Sequence, residues 1–595
     1  MKVVMDNWKE FLFGVLKQLA SEKLGTDEGI TKEMIIIEQP PKPEFGDIGF
    51  PMFPYARVFR SAPPVIAGWV KELLDNKEQI KGGKEGLFYQ KSSVEGPYVN
   101  IFLNRGKYGA AVVEDIKTQG ETFGITSLFE NQNVMVEFSC PNTNKPLHLG
   151  HLRNDAIGES IARISKVNGA NVQKVNLIND RGIHICKSML AYQKFGNGST
   201  PEAEGVKSDH FVGNYYVLFN KKKQKHPQLE EEARKMLIEW ENGNAEINKL
   251  WKQMNTWAID GIKETYQKTG VSFDRVYYES ETYLRGKKEV LKGLENGTFY
   301  KDEEGTVWVD LSEADLDKKV LLRKDGTSLY LTQDIGTAIA RHDDWPFEKL
   351  IYVVASEQQY HFKVLFYVLD KLGFEWAKQL YHLSYGMVNL PEGKMKSREG
   401  TVVDADVLLE ELTKMAEEEI RSKGREKEVG DVRATAEKVA IGALHYYLLN
   451  VTPNKDMIFK AEESISFTGN TGPYLQYVGA RISSILRKYD KDESIYGRSK
   501  ANPDRIGTVE EWDVIKKLSR YPLAVEEAGN NLNPSVVALY LYDLAKSFSR
   551  FYHENQVLLK EDPELTATRL ELVHGVYRVL KNGLFLIDVP FLDTM

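Results

Sequence analysis

The sequence predicts an α/β protein in three parts: a parallel sheet with helices on both faces, a small α/β domain before it and an all-α domain after it. Three observations carry that expectation. Short β-rich runs at Val134–Phe138, Val172–Ile178, Leu350–Val354 and Leu383–Val388 alternate with helical stretches, the pattern that builds parallel sheets. The chain before about 125 has helices and a strand-like run of its own. After about 435 strand signals vanish, and helical periodicity runs almost to Met595. On this reading the parts run 1–125, 126–410 with an insertion at about 200–290, a helical connection at 411–435, and 436–595.

The 595 residues carry 78 Lys+Arg against 86 Asp+Glu, a net charge of −8, with 42% hydrophobic and 11% aromatic content. That is enough apolar side chain for several cores, so disorder over most of the length is excluded. An acidic body argues against a general coater of polyanions, although a local basic face can still bind a nucleic acid. Only Cys140 and Cys186 occur, too far apart for a Cys-x-x-Cys knuckle, so neither a disulfide framework nor a structural zinc is expected. No apolar run reaches the roughly 18 residues a membrane helix needs. Asp6, Glu10 and Lys17 interrupt the apolar start, unlike a signal peptide. The expectation is a cytoplasmic protein with no membrane partner.

Taking the elements in order, Trp8, Phe11, Leu12, Val15, Leu16 and Leu19 fall at helical spacing and predict an amphipathic helix over 6–20. Met34–Ile37 reads as a strand. The prolines of PPKPEFGDIGFP (40–51) read as excluding regular structure there. Two helical stretches and a strand at Tyr98–Leu103 complete the first part. In the central part the strand Val134–Phe138 leads through Pro141-Asn142 into a helix from Leu149 to about Val167. The insertion is rich in helix formers and charge. Its run Lys221, Lys222, Lys223, Lys225 followed by Glu230, Glu231, Glu232 reads as a solvated helix surface.

In parallel sheets ligands sit beyond the carboxyl ends of strands, which directs attention to the segment after Phe138. There Pro141-Asn-Thr-Asn-Lys-Pro-Leu-His148-Leu-Gly150-His151 opens a helix. A helix N-terminus offers unpaired N–H groups and the positive end of a dipole, a ready phosphate site. Gly150 lets a base or ribose approach the backbone. His148 and His151, three apart, share a helix face and can bond phosphate oxygens, and Lys145 adds a charge one turn upstream. A nucleotide-phosphate site is the reading that joins these features. The second stretch, Gly393-Lys394-Met-Lys396-Ser397-Arg-Glu-Gly400, follows the last predicted strand. Its terminal glycines and three cations suit a loop over a triphosphate. Alone either motif is weak. In this order across one sheet they reinforce each other.

These two stretches resemble the HIGH and KMSKS motifs of class I aminoacyl-tRNA synthetases, a Rossmann-like fold. Over nearly the whole length the chain resembles the arginyl-tRNA synthetase family. VEFSCPNTNKPLHLGHLR (136–153), LRKDGTSLYLTQDIG (322–336) and VVASEQQYHFKVLF (353–366) are similar to that family's catalytic blocks. KPEFGDIGFP (42–51) and GPYVNIFLN (96–104) are similar to its additional tRNA-binding domain. GPYLQYVGARISSILRK (472–488) and LAKSFSRFYHENQVL (544–558) are similar to its helical anticodon-binding domain. Two departures stand out. The KMSKS motif is degenerate: Lys396 and Ser397 match its end, while Lys394 aligns ambiguously. Arg181 in NLINDRGIHI replaces an aromatic of the family's pattern, of which Asp180 and Gly182 remain.

The resemblance implies activation of arginine by ATP, with magnesium carried on the nucleotide, and transfer of the arginyl group to tRNA(Arg). It implies that bound tRNA is needed before adenylate forms. His148, Gly150 and His151 would bind ATP, with Lys145 and Lys396 dividing the charge work and Lys394 and Ser397 beside them. Glu137 and Asp334 would grip the guanidinium, which has five donors and no acceptor and is never neutral. Tyr330 would wall the pocket, and Asn142 and Gln358 would take the α-amino and carboxylate end. Cys140 reads as a small packing residue. Tyr98, Asn100, Tyr474, Gln476 and Arg481 are candidates to stack on or bond tRNA bases. A monomer is expected. Another class I synthetase, a non-catalytic RNA-binding relative or a small HxGH nucleotidyltransferase would share parts of this pattern. Two isolated cysteines, the intact motif residues and the end domains count against these in turn.

Overall fold

The structure, a computed structural model, describes residues 2–38, 40–76, 86–391 and 403–595. They form two compact units. The first comprises residues up to 124 with 482–524 and 543–582; the second comprises 125–481, 525–542 and 583–595.

In the first unit helix α1 (Lys2–Leu24) buries Trp8, Leu12, Val15, Leu16 and Leu19 along one face, the predicted stripe on a longer helix. Trp8 Nε1 donates to the Leu87 carbonyl at 2.9 Å. Strands β1 (Ile48–Pro51), β2 (Tyr89–Glu95) and β3 (Tyr98–Leu103) form an antiparallel sheet in the order β1-β3-β2. Helix α2 (Pro63–Asn76) lies between β1 and β2, and α3 (Arg105–Gln119) follows β3. Trp512 Nε1 donates to Asp47 Oδ1 at 2.8 Å and ties the later helices to this sheet. Two sequence expectations fail here. Residues 35–37 are not a strand: Lys32–Met34 is a 3-10 turn, and only Glu38 bridges Gly49. Pro40 and Pro41 follow at once and bring no N–H to extend a ladder. Conversely the proline-rich stretch does hold a strand. Pro51 is tolerated because β1 is an edge and Pro51 its last residue.

The second unit is built on a five-stranded sheet. Its strands are β4 (Asn133–Glu137), β5 (Asn171–Ile178), β6 (Arg275–Tyr278), β10 (Lys349–Ala355) and β11 (Leu380–Tyr385), in the order β11-β10-β4-β5-β6. All four pairings are parallel. Helix α4 (Leu149–Val167) follows β4 with the predicted bounds, and α5 (Ile183–Phe195) follows β5. The helical excursion is α6 (Ser208–Lys223), α7 (Leu229–Glu241) and α8 (Ala245–Thr269), packed around Phe211, Met236 and Trp240. Its charge run is partly ion-paired: Lys223 meets Glu230 within the run at 2.9 Å, while Lys187 and Lys194 of α5 meet Glu230 at 2.7 Å and Glu232 at 2.6 Å. The excursion ends at Thr269. Residues 275–278, read from sequence as insertion, are instead an edge strand of the main sheet.

Helix α9 (Glu279–Glu295) leaves that strand. The small antiparallel sheet of β7 (Tyr300–Lys301), β8 (Val307–Val309) and β9 (Lys319–Leu322) then leads to α10 (Tyr330–Asp344). These strands of two to four residues are too short to show periodicity. Helix α11 (Gln359–Lys371) leaves β10. The predicted run Leu383–Val388 breaks in two: β11 stops at Tyr385, and β12 (Val388–Asn389) pairs with β13 (Met457–Ile458), a strand inside the stretch read as wholly helical. Beyond lie α12 (Ala405–Ser422), α13 (Val432–Leu449), α14 (Gly472–Lys491), α15 (Val509–Asn530), α16 (Ser535–Glu554) and α17 (Pro563–Leu586).

Arg153 on α4 holds these segments to the sheet. It is wholly buried, and its guanidinium donates to the carbonyls of Gly386 (2.7 Å), Met387 (3.2 Å), Pro453 (3.2 Å) and Lys455 (2.8 Å). Replacing it by Met leaves four carbonyls without these donors and is expected to destabilise the unit by about 3 kcal/mol or more. A urea-unfolding midpoint for Arg153→Met equal to the parent's contradicts this.

Candidate active site

The site begins with a turn no pattern would suggest. β4 and β10 are neighbours, and the chain leaves them for opposite sides of the sheet, so a crevice opens at their carboxyl ends. Just past β4, Ser139 and Cys140 both have left-handed backbones, φ 73° and 48°, which cost energy for residues with a Cβ. Their neighbours impose it. Ser139 N donates to Asn154 Oδ1 (2.5 Å), and its hydroxyl meets the Tyr266 hydroxyl (2.6 Å). Cys140 N donates to Asn176 Oδ1 (3.1 Å), and Asn179 Nδ2 donates to the Cys140 carbonyl (3.0 Å). The turn throws residues 141–148 across the end of the sheet.

His148 is the N-cap of α4 rather than a helical residue, its backbone extended at φ −139° and ψ 172°. Its Nδ1 accepts from Gly150 N at 3.1 Å, and its own N donates to His151 Nδ1 at 3.1 Å, a reciprocal capping box made of two imidazoles. The ring centroids are 3.9 Å apart. A Cβ on residue 150 would lie 2.9 Å from His148 Cε1, so glycine is required here to make room for the ring. Burial, with Lys145 nearby, pushes His148 down to about 3; burial also pushes His151 far down, with His148 and Lys145 adding to it. Both rings are therefore neutral, both Nδ1 atoms accept, and both protons sit on Nε2, free to donate to a phosphate. Lys145 is itself pushed down by burial and lines a cavity of about 200 Å³ with His148, His210, Asn214 and Asp404. Leu149 N donates to the Val403 carbonyl and Ala405 N to the Leu147 carbonyl, both at 3.1 Å, so residues 403–405 are stitched to this segment.

Two further acidic residues converge on Asp334. Helices α9 and α10 pack through Gly286 and Gly336. A Cβ on Gly336 would meet the Thr282 carbonyl at 2.5 Å, and one on Gly286 would collide with the Thr332 carbonyl. That contact brings the first residue of α9, Glu279, within electrostatic range of Asp334 on α10. Glu137, at the end of β4, is also in range of Asp334. Burial raises Glu137, Arg341 opposes and Asp334 adds; burial pushes Glu279 up to about 8, with Arg181 opposing and Asp334 and Asp180 adding. Glu137 is not free: it is ion-paired with Arg341, side-chain exposures 6% and 1%. One resident guanidinium thus already uses part of this carboxylate. His361 Nε2 donates to Asp334 Oδ2 at 2.6 Å.

Tyr330, 70% exposed, opens α10 in range of Glu279. Asn142 and Gln358 are exposed at the carboxyl ends of β4 and β10, and Gln358 makes no cap bond to α11. Sequence reasoning missed Glu279, because nothing marks RVYYES as the end of a sheet strand. It noted Arg181 only as a departure. Arg181 proves to be an almost buried cation beside these acids.

Comparison with known proteins decides the family. The family model for the tRNA synthetases class I (R) catalytic domain matches residues 112–461, that for the arginyl tRNA synthetase N terminal domain matches 7–103, and that for the DALR anticodon binding domain matches 475–595. The chain is 55% identical to the arginine–tRNA ligase of Treponema denticola, covering 100% of both chains. The chain belongs to the arginyl-tRNA synthetase family. It is also 50% identical, over 100% of both chains, to the arginine–tRNA ligase of Treponema pallidum. Thermus thermophilus arginyl-tRNA synthetase has the same fold, with TM-score 0.78, 26% identity and coverage of 99% and 100%. The Plasmodium falciparum enzyme shares the fold at TM-score 0.74 and 19% identity.

Of the residues expected to serve an arginyl-tRNA synthetase, Lys394, Lys396 and Ser397 lie outside the described residues. Tyr98 is half-buried on β3, edge-on to Phe53 at 6.1 Å. Tyr474 is half-buried against Tyr542 at 5.9 Å, and Arg481 lies over the Tyr477 ring at 4.7 Å. Two tRNA candidates are corrected. Asn100 is 4% exposed beneath Gly46 and Gly49. Gln476 is fully buried, its amide donating to the Lys438 (3.0 Å) and Pro590 (2.9 Å) carbonyls. Neither presents a surface to a base. The Asp209–His210–Asp406 cluster has spacing a metal could use, but Lys207 and Lys268 pair with Asp406 at 2.7 and 2.8 Å and supply its cations.

Because the two imidazoles are already neutral, kcat for adenylate formation at saturating arginine is expected to show no limb from them between pH 5.5 and 8, and His148→Asn to lower kcat about 100-fold at every pH in that range. A limb near pH 6.5 that disappears in His148→Asn contradicts the assigned proton positions.

Proposed function

We infer that the chain activates L-arginine with ATP and transfers the arginyl group to tRNA(Arg), releasing AMP and pyrophosphate. The observations that carry this are the convergence of Glu137 and Glu279 on Asp334 and, in the same unit, a helix N-terminus holding two neutral histidines. The substrate carboxylate attacks the α-phosphate in line as pyrophosphate leaves. Positioning and charge stabilisation do the catalysis, and no covalent enzyme intermediate is needed. His148 and His151 donate from Nε2 to phosphate oxygens, and Gly150 keeps the His148 ring in place. Lys145 adds charge from the same side, and we assign Lys396, with Lys394 and Ser397 nearby, to the departing pyrophosphate. Magnesium enters with ATP, held mostly by phosphate oxygens and water.

Asp334 and Glu279 accept from the guanidinium, and Glu137 contributes the oxygen that Arg341 leaves available. Tyr330 covers the pocket, while Asn142 and Gln358 hold the α-amino and carboxylate groups. Residues 126–410 are read as the catalytic part, and 1–125 and 436–595 as the parts that meet tRNA, with 411–435 connecting. Family-model matches at 7–103, 112–461 and 475–595 support that division. Tyr98, Tyr474 and Arg481 remain the candidates to contact bases. We read the enzyme as a cytoplasmic monomer without structural zinc; among the described residues no helix is long and apolar enough to cross a membrane.

The test is arginine-dependent ATP–pyrophosphate exchange, run with and without tRNA(Arg). Exchange is expected with arginine alone among the amino acids, and only when tRNA is present. Asp334→Asn is expected to raise the arginine KM about 100-fold while leaving the ATP KM within a factor of three. An unchanged arginine KM in this variant contradicts the pocket.

A further inference from the structure

Arg181, the residue that departs from the family pattern, sits where a charge can act on substrate selection without touching substrate. It lies in the loop from β5 to α5, and its side chain is 5% exposed. On its outer side Nη2 meets Glu241 Oε1 at 2.6 Å, at the last residue of α7. The guanidinium lies over the Tyr283 ring, 3.9 Å from the centroid, with Trp240 at 5.6 Å. On its inner side stands Gln333. With the amide turned so that both its groups are satisfied, Arg181 Nη1 donates to the Gln333 oxygen at 2.7 Å and the Gln333 nitrogen donates to Glu279 Oε1. Resident cation, amide and carboxylate form one chain leading from the insertion into the pocket.

We propose that Arg181 is a positioning residue for arginine selection: through Gln333 it fixes Glu279 as an acceptor facing the substrate guanidinium, and its charge offsets the neighbouring acids. The proposal rests on reading Glu279 and Asp334 as the acceptors of that group. A substrate with donors only gains less from a protonated carboxyl, which keeps an accepting oxygen but loses its charge and turns a donor of its own toward a donor. Burial works toward that protonated form. The groups facing Glu279 are Asp180 and Arg181 from the β5–α5 loop, Asp334 and Tyr330 from α10, and the Gln333 amide. Asp180 accepts from Ser280 N (2.9 Å) and Oγ (2.6 Å), and Asp334 is bonded to His361, so both acids are held in place. Arg181 is the cation that opposes them. Its planar fork reaches Glu241 and Gln333 at once, a task for which a lysine's single point of charge is a partial substitute.

The test uses the full chain with tRNA(Arg) and measures arginine and ATP KM by pyrophosphate exchange from pH 6.5 to 9. The proteins are the parent, Arg181→Lys, Arg181→Met, Glu279→Gln and the Arg181→Met/Glu279→Gln pair. In the parent the arginine KM is expected to fall as pH rises through about 8, where Glu279 ionises. Arg181→Met should raise the arginine KM about 30-fold at pH 7, leave the ATP KM within a factor of three, and displace that fall to higher pH. Arg181→Lys should recover part of the loss. Glu279→Gln should raise the arginine KM with a flat pH profile, and Arg181→Met added to it should cost less than a further threefold. If Glu279→Gln raises the arginine KM but Arg181→Met leaves it at the parent's value, the proposal is overturned and the pocket stands. A loss in Arg181→Met that is equal at every pH and accompanied by lower kcat marks a merely structural residue and also overturns it. If Glu279→Gln binds arginine normally, the reading of Glu279 as a substrate acceptor fails, and the proposal fails with it.

Discussion

A guanidinium is charged at every accessible pH and offers only donors, so a pocket that selects it must keep carboxylates ionised where burial disfavours their charge. On the proposed reading of the site, much of the second unit serves that conflict. β4 ends on Glu137, β6 hands over to Glu279, and the glycine contact between α9 and α10 sets Asp334 beside them. Three acids at one place would repel. Each has a countermeasure: Arg341 on Glu137, His361 on Asp334, and Arg181 with Gln333 on Glu279. The site is a polar network, buried at Glu137 and Glu279 and part-exposed at Asp334, in which each acid is met by a donor.

On the same reading, the nucleotide side solves the opposite problem. ATP is anionic, yet the two histidines nearest its expected place are neutral. Their charge would be costly in that buried position, and their geometry is what the chemistry needs: each Nδ1 is occupied by a backbone N–H, so each Nε2 presents a proton in a fixed direction. Formal positive charge comes instead from Lys145 and the helix N-terminus. The left-handed pair Ser139–Cys140 connects the two halves, because it carries the chain from the acid at 137 to the imidazole at 148 within one crossing of the sheet end.

What could be read from the sequence follows from the range of the forces involved. Helix α4 was legible to the residue, as its apolar positions repeat over several turns and its start is a capped strand-to-helix turn. β6 was not, since four residues with no alternation become a strand only when β5 lies alongside, and Glu279 was lost with it. The run Met34–Ile37 looked like a strand by composition, but the prolines after it leave no ladder to join. Asn100 and Gln476 were candidates to bond tRNA bases, and only the packed structure shows that each lies inside. Glu137 and Asp334 came from family likeness, which cannot reveal that Glu137 already holds an arginine of the protein's own.

The central claim is that fixed carboxylate acceptors recognise charge and planarity together. Citrulline, which keeps arginine's length and planarity but not its charge, separates these from shape. Calorimetric titration of the full chain should show arginine binding at least about 100-fold more tightly than citrulline, and lysine, charged but not planar, comparably weak. Citrulline binding within a few-fold of arginine would contradict the account, for the acids around 137, 279 and 334 would then not be what selects the substrate.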